Sequence, residues 1–192
     1  MALLEKYLTL PFCLIFGVFM MDERGIQDRS LPSMAELNSA IALFWEFDKY
    51  FGEEVCGILA YSLGKALGER LYKLFSKRSE SLGLSSANAF LIRSFKDMKL
   101  VRDAAAFISR SEEGEVEIFF RVASCAQIWG KRSRPYLYVL RGTLFQFYSM
   151  LTSGIVRVSS RDLSDTLKDC YEYVIRISLV DDDSEGGEDE QG

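Results

Sequence analysis

Residues Ala104–Ala123 read AAAFISRSEEGEVEIFFRVA. Two apolar runs, Ala104–Ser109 and Glu115–Ala123, flank Ser111-Glu112-Glu113-Gly114, a polar stretch ending in glycine that suits a hairpin turn. In the second run Val116, Ile118, Phe120 and Val122 occupy alternate positions, with Glu115, Glu117, Phe119 and Arg121 between them. That period of two predicts a strand whose two faces meet different surroundings. Helical periods lie on both sides of this hairpin, so the chain reads as α+β rather than as alternating β-α units.

Upstream, Ser33-x-x-Glu36 is a capping box preceded by Pro32, and it opens a helix running to about Lys49. Leu37, Ile41, Phe44 and Trp45 form its buried stripe. A longer helix begins near Gly52 and continues to Lys77-Arg78, with Val55, Ile58, Leu59, Leu63, Leu67, Leu71, Leu74 and Phe75 as its apolar positions. Gly57, Gly64 and Gly68 interrupt it, each costing up to about 1 kcal/mol relative to Ala in a helix interior. Such a cost points to close approach by another backbone or a ligand. Tight packing at Gly64 and Gly68 within the domain is the favoured explanation, and a dimer seam the second. Ser85 or Ser86 caps a third helix carrying Phe90, Leu91, Phe95 and Met98 on its apolar face.

Downstream, Ser124 to Pro135 is irregular and basic, with Lys131, Arg132 and Arg134 close to Trp129 and Gly130. A helix from Tyr136 to about Thr152 follows, burying Leu140, Leu144, Phe147 and Leu151, with Gly154 placed to end it. Two strands close the domain, Ile155–Ser160 and Tyr171–Leu179, the second alternating Tyr171, Tyr173, Ile175, Ile177 and Leu179 against Glu172, Arg176 and Ser178. At the other end, Leu8–Met21 (LTLPFCLIFGVFMM) is too short to span a bilayer and lacks a signal-type cleavage site. Its β-branched and aromatic content predicts a buried strand, about residues 10–21, and the sequence does not decide among Met1, Met20 and Met21 as the start codon. The expected order is β-α-α-α-β-β-α-β-β: one α+β domain over residues 1–180, a mostly antiparallel sheet with helices packed on it. A disordered acidic tail, residues 181–192, follows.

The 192 residues are 48% hydrophobic and 27% charged, the balance of a globular protein. Seven of the acids lie between Asp181 and Gly192, and without them 23 basic residues face 21 acidic ones. A near-neutral body gives no broad phosphate-binding surface, so nucleic acid is not an expected partner. The chain has no histidine. Ser-His-Asp and Cys-His catalysis and imidazole-ligated zinc are therefore excluded, and no catalytic constellation is visible among the remaining residues. Cys13, Cys56, Cys125 and Cys170 are widely spaced and read as reduced thiols, consistent with a cytoplasmic location.

Several segments together resemble the 4-vinyl reductase domain family. Tyr50–Leu71 (YFGEEVCGILAYSLGKALGERL) is similar to its opening helix, with Gly64 and Gly68 as the two later glycines. Glu115–Cys125 (EVEIFFRVASC) is similar to its central hairpin. Pro135–Ser160 resembles its aromatic helix-and-strand module, with Gly142 as the helix glycine, and Cys170-Tyr-Glu-Tyr-Val-Ile resembles its closing strand. Small subunits of the transport protein particle that tethers vesicles use the same fold. The resemblance implies an α+β module that dimerises and holds an apolar ligand between helices and sheet. It departs in two places. Where some members carry a second metal-binding cysteine, eight residues before Cys170, this chain has Asp162, so no metal is expected. Where lipid-carrying tethering subunits have an acylated cysteine, it has Ser85-Ser86-Ala87-Asn88.

These readings give an expected site and function. Phe90, Phe95, Trp129, Tyr138 and Phe145 are the candidate lining of an aromatic pocket under the Ser124–Pro135 segment, with Lys131, Arg132 and Arg134 at its rim for an anionic end. At helical spacing such aromatics also serve simply as core. The expected function is a cytoplasmic, non-enzymatic binding or sensory module for a hydrophobic or aromatic molecule, needing no cofactor and acting as a homodimer or paralogous heterodimer. The alternative is a scaffold subunit of a tethering assembly, with the pocket filled by side chains.

Overall fold

A computed structural model describes residues 34–78, 83–110, 115–124, 133–152, 154–163 and 170–178. Helix α1 (Met34–Phe51) buries Leu37, Ile41 and Phe44 on one stripe and ends where Gly52 adopts φ +81°, a left-handed turn that glycine takes without steric cost. The amide of Gly52 donates to the Asp48 carbonyl at 3.0 Å, closing α1. Helix α2 (Glu53–Arg78) starts at once, with Glu53 and Glu54 in its first turn and Lys77 and Arg78 in its last, the arrangement its dipole favours.

The inward face of α2 carries half of the predicted apolar positions, Leu63, Leu67, Leu71 and Phe75, but not Val55 or Ile58. Cys56, Gly57, Ala60, Gly64 and Gly68 lie on it together with Leu63, Leu67, Leu71 and Phe75. Val55 is 41% exposed and Ile58 66%, whereas Leu59 and Leu74 are half-buried. The reason is the neighbour: α4 (Ser133–Leu151) lies so close that only small residues fit between the two backbones around the middle of α2, at Gly64 and Gly68.

Helix α3 (Leu84–Asp97) is capped by Gly83, not by Ser85 or Ser86. The Gly83 carbonyl accepts the Ala87 amide at 3.0 Å, which starts the helix before either serine is reached. After α3, Lys99 at φ 54° turns the chain into β1 (Val101–Arg110). This strand pairs antiparallel with β2 (Val116–Ser124), Phe107 opposite Phe119 and Ile108 opposite Ile118. Strands β3 (Ile155–Asp162) and β4 (Cys170–Ser178) complete a four-stranded antiparallel sheet of order β1-β2-β4-β3.

Over the described residues the order is therefore α-α-α-β-β-α-β-β, the expected α+β architecture. The anticipated N-terminal strand at 10–21, the capping Ser33, the turn Ser111–Gly114, Leu179 and the acidic tail lie outside the described residues, as does the side chain of Trp45.

One sheet face carries Ile118, Phe120, Val122, Tyr173, Ile175, Ile177, Val156 and Val158, all buried under the helices. Burying an aromatic or aliphatic side chain of this size stabilises by roughly 1.5–3 kcal/mol, which makes this layer the main support of the fold. Phe95 of α3 meets Phe120 edge-on at 5.8 Å, and the Tyr173 hydroxyl donates to the Leu137 carbonyl of α4 at 3.1 Å. The opposite face is polar by pattern but not uniformly wet. Glu172 is fully buried there between its cross-strand neighbours: Arg121 Nε lies 2.6 Å from Oε2 and Arg161 Nη2 lies 2.7 Å from Oε1. A buried carboxylate needs such partners, since losing one would leave an uncompensated charge.

Candidate functional site

The closest contact between helices is the crossing of α2 and α4. A Cβ placed on Gly64 would come within 2.1 Å of the Val139 carbonyl oxygen, and one on Gly68 within 2.4 Å of the Thr143 oxygen. From the other side, a Cβ on Gly142 would meet the Tyr61 oxygen at 2.2 Å. Each obstacle is backbone, which cannot swing aside as a side chain can. The packing at Gly64 and Gly68 is thus between two helices of the same chain.

Toward the start of both helices the backbones are no longer in contact at Gly57, and a shallow recess open to solvent, with room for about one water molecule, lies among Asp48, Glu53, Cys56, Gly57, Arg134, Pro135 and Tyr138. Asp48 comes from the last turn of α1, Glu53 to Gly57 from the start of α2, and Arg134 to Tyr138 from the start of α4. Pro135 is tolerated because it sits in the first helical turn, where its missing amide has no intrahelical acceptor to lose. Gly57 lets the Tyr138 ring lie against the α2 backbone; an added Cβ would stand 3.2 Å from that ring. Tyr138, Pro135 and Gly57 make an apolar slot, with carboxylates along one side.

The electrostatics of the recess leave little nucleophilic or anion-binding capacity. Arg134 is ion-paired with Glu53, so its charge is already met. The Cys56 thiol is buried and donates to the Phe44 carbonyl at 3.0 Å. Burial first, then the nearby Asp48 and Glu53 charges, push its pKa up to about 11, so it stays a neutral thiol at ordinary pH. Elsewhere, burial pushes the Tyr148 and Tyr173 phenols upward as well. Tyr148 instead donates to the Asn88 side-chain oxygen inside the core. Among the described residues no group of three or more cysteine, aspartate or glutamate side chains converges as a metal ligand set.

Of the anticipated site residues, Tyr138 and Arg134 share this recess. Phe95 is in the core against Phe120, and Phe90 lies between Phe75 at 5.4 Å and Phe147 at 6.3 Å. Phe145 sits beside Tyr61 at 6.1 Å, with the Lys65 ammonium 5.7 Å from its ring. Trp129, Lys131 and Arg132 lie outside the described residues. Asp48 and Glu53 were not foreseen as site residues. Their only mark in the sequence is that they bracket Gly52, where two helices meet.

No family model matches the sequence, and no curated protein matches it significantly. Solved structures do share its fold. The phenol-responsive sensory domain of the transcription activator PoxR is similar with a TM-score of 0.60 and 15% identity, over 79% of this chain and 77% of that one. A trafficking protein particle complex subunit 3 from Naegleria fowleri, covalently bound to palmitic acid, gives a TM-score of 0.48 at 18% identity over 76% and 95% of the two chains. An H-NOX protein from S. oneidensis gives 0.48 at 10% identity over 88% and 89%. At these identities the likeness concerns architecture, and the PoxR domain is the one of the three above a TM-score of 0.5. No helix among the described residues is long and apolar enough to cross a membrane.

Proposed function

We propose that the protein is a non-catalytic binding module for a small, neutral aromatic or hydrophobic molecule, and that it acts as a dimer. The observation that carries this reading is the slot between Tyr138, Pro135 and Gly57, in a fold shared with a phenol-responsive sensory domain. A flat ring placed against Tyr138 gains aromatic contact, and a hydroxyl on its edge has the Asp48 carboxylate available as acceptor. Arg134, held by Glu53, favours a neutral ligand over an anionic one. Trp129 precedes Arg134 by only a few residues, so the reading assigns it to the same site. Native mass spectrometry of the purified protein, before and after mild organic extraction, reports oligomeric state and retained ligand together. Added phenol and alkylphenols should alter tryptophan fluorescence in the parent. Tyr138→Ala should weaken that response about tenfold while moving the melting temperature little. An unchanged response in the variant would remove the recess from the function.

A second reading, a scaffold subunit, is favoured by a different observation. Phe95, Phe120, Phe147, Tyr148 and Tyr173 are all fully buried; Phe95, Phe120 and Tyr173 fill the space between helices and sheet, and Phe147 and Tyr148 the space among the helices. A module whose interior is filled by its own rings presents surfaces instead of a cavity. Extracted protein that takes up none of the tested compounds, yet stays oligomeric, would put this reading ahead.

A further inference from the structure

We infer that residues Phe12–Met21 lie antiparallel along the free edge of β1 and make the sheet five-stranded. The sheet has two edges, and they differ. Strand β3 carries Arg157 and Arg161 along its length, and its Val158 carbonyl accepts a hydrogen bond from Arg141 Nε of α4 at 3.0 Å. Charged side chains of that kind keep a further strand off an edge. Strand β1 is built the other way. Its charges, Arg102, Asp103 and Arg110, stand near its ends, and Ala104–Ser109 (AAAFIS) between them has none. Phe107 is 54% exposed and Ile108 39%. Among the described residues β1 pairs with β2 alone, so every second amide along it faces away from the sheet. A long, uncharged edge of this kind is a template for another strand.

The choice of occupant follows from length, charge and shape. Phe12–Met21 (FCLIFGVFMM) is as long as β1 and carries no charge. Pro11 before it has no amide to give a ladder, and Asp22 follows it, so the uncharged run starts and stops with the strand it matches. Laid end to end and antiparallel, the even-numbered residues of the two segments share a face. In β1 these are Ala104, Ala106 and Ile108, which stand opposite the buried Val122, Phe120 and Ile118 and so face the helices. Val18, Phe16 and Leu14 then fall beside them, two large side chains next to the two alanines, and extend the layer between helices and sheet. On the other face Ile15 falls beside the exposed Phe107. The reach suffices, since residues 22–33, which lead to α1 at Met34, span up to about 40 Å when extended.

Hydrogen–deuterium exchange read residue by residue on the 192-residue chain tests this, with Phe16→Pro and a chain begun at Met21 as the variants. In the parent the amides of Val101–Arg110 should be slow throughout, and equally slow at low and high protein concentration. In both variants every second one should exchange about a hundredfold faster or more, while β4 exchanges as in the parent. Alternate amides already fast in the parent would overturn the inference. So would amides equally slow in parent and variants, since something else would then cover the edge. Slowing seen only at high concentration would give the edge to a second copy and overturn it too. Where a variant also loses protection in β4, the full chain carrying Ser109→Cys decides. Mild oxidation should join that position to Cys13 within one chain, and the absence of that bond would overturn the pairing.

Discussion

Gly57 and Gly64 lie two turns apart on the same helix and face the same partner, α4, yet they do different work. At Gly64 the nearest obstacle to a side chain is the Val139 carbonyl at 2.1 Å; at Gly57 it is the edge of the Tyr138 ring at 3.2 Å. The first glycine lets two backbones touch and fixes where the helices cross. The second leaves a movable side chain as neighbour, at a point where the two backbones are no longer in contact. A single pair of helices thereby provides a rigid pivot and, beyond it, the recess. What separates the two is the kind of atom across the gap, since backbone is fixed by its own hydrogen bonds and a ring on two rotatable bonds is not.

The contrast breaks first at the pivot. Gly64→Leu, and even Gly64→Ala, forces α4 away or bends α2, and a cost of about 3 kcal/mol or more is expected. For a chain of this length that is a fall of roughly 6–12 °C in melting temperature. A Gly64→Ala variant melting with its parent would show that the crossing is looser than 2.1 Å implies.

An effect of intermediate size is expected at Cys56, next to Gly57. Its folded pKa of about 11 lies above the ordinary thiol value of 9.0. The sign follows from proton counting. Between those values the unfolded chain loses the proton and the folded chain keeps it, so the contribution is whole below pH 9 and is lost as pH rises toward 11. The loss amounts to at most about 2–3 kcal/mol. Urea midpoints at pH 8 and pH 10.5 should show a larger fall in the parent than in Cys56→Ala. Equal falls would mean that water reaches the thiol.

The smallest effect is expected at Gly57. Gly57→Ala should change stability by within about 1 kcal/mol, because the gain of alanine over glycine in a helix offsets displacement of the Tyr138 ring. Its signature should be functional, a loss of the fluorescence response to phenols with an almost unchanged melt. A large loss of stability here would make the Tyr138 ring as immovable as the Val139 carbonyl.

The difference between these two glycines could not be read from the sequence, and the reason is physical. Both interrupt the same helical pattern, and what distinguishes them belongs to α4, more than seventy residues away. The hairpin was legible because Val116, Ile118, Phe120 and Val122 write their burial in the simplest period a chain can have. The inward face of α2 was less so, since its members include Gly57, Ala60, Gly64 and Gly68, which contribute almost nothing to a hydrophobicity pattern. Val55 and Ile58 contribute much and face outward. Glu172 read as an ordinary solvent-facing charge; its burial depends on Arg121 and Arg161 being its cross-strand neighbours, a fact fixed only by register. Tyr138 was legible as an aromatic of the last helix, whereas its companions Asp48 and Glu53 join it only through the turn at Gly52.

The strand order β1-β2-β4-β3 also sets which pairings of the sheet are local in sequence and which are not. The outer pairs, β1 with β2 and β3 with β4, join strands that are near in sequence and can zip by local steps on a microsecond scale. The central pair, β2 with β4, joins positions such as Ile118 and Ile175 that lie more than fifty residues apart, with α4 inside the loop they close. The entropy of closing that loop is spent before any central hydrogen bond forms, and docking α4 against α2 through its glycines shortens the gap to be closed. The helix crossing thus does more than fix the packing of α2 on α4: it shortens the gap that the central β2–β4 pairing has to close.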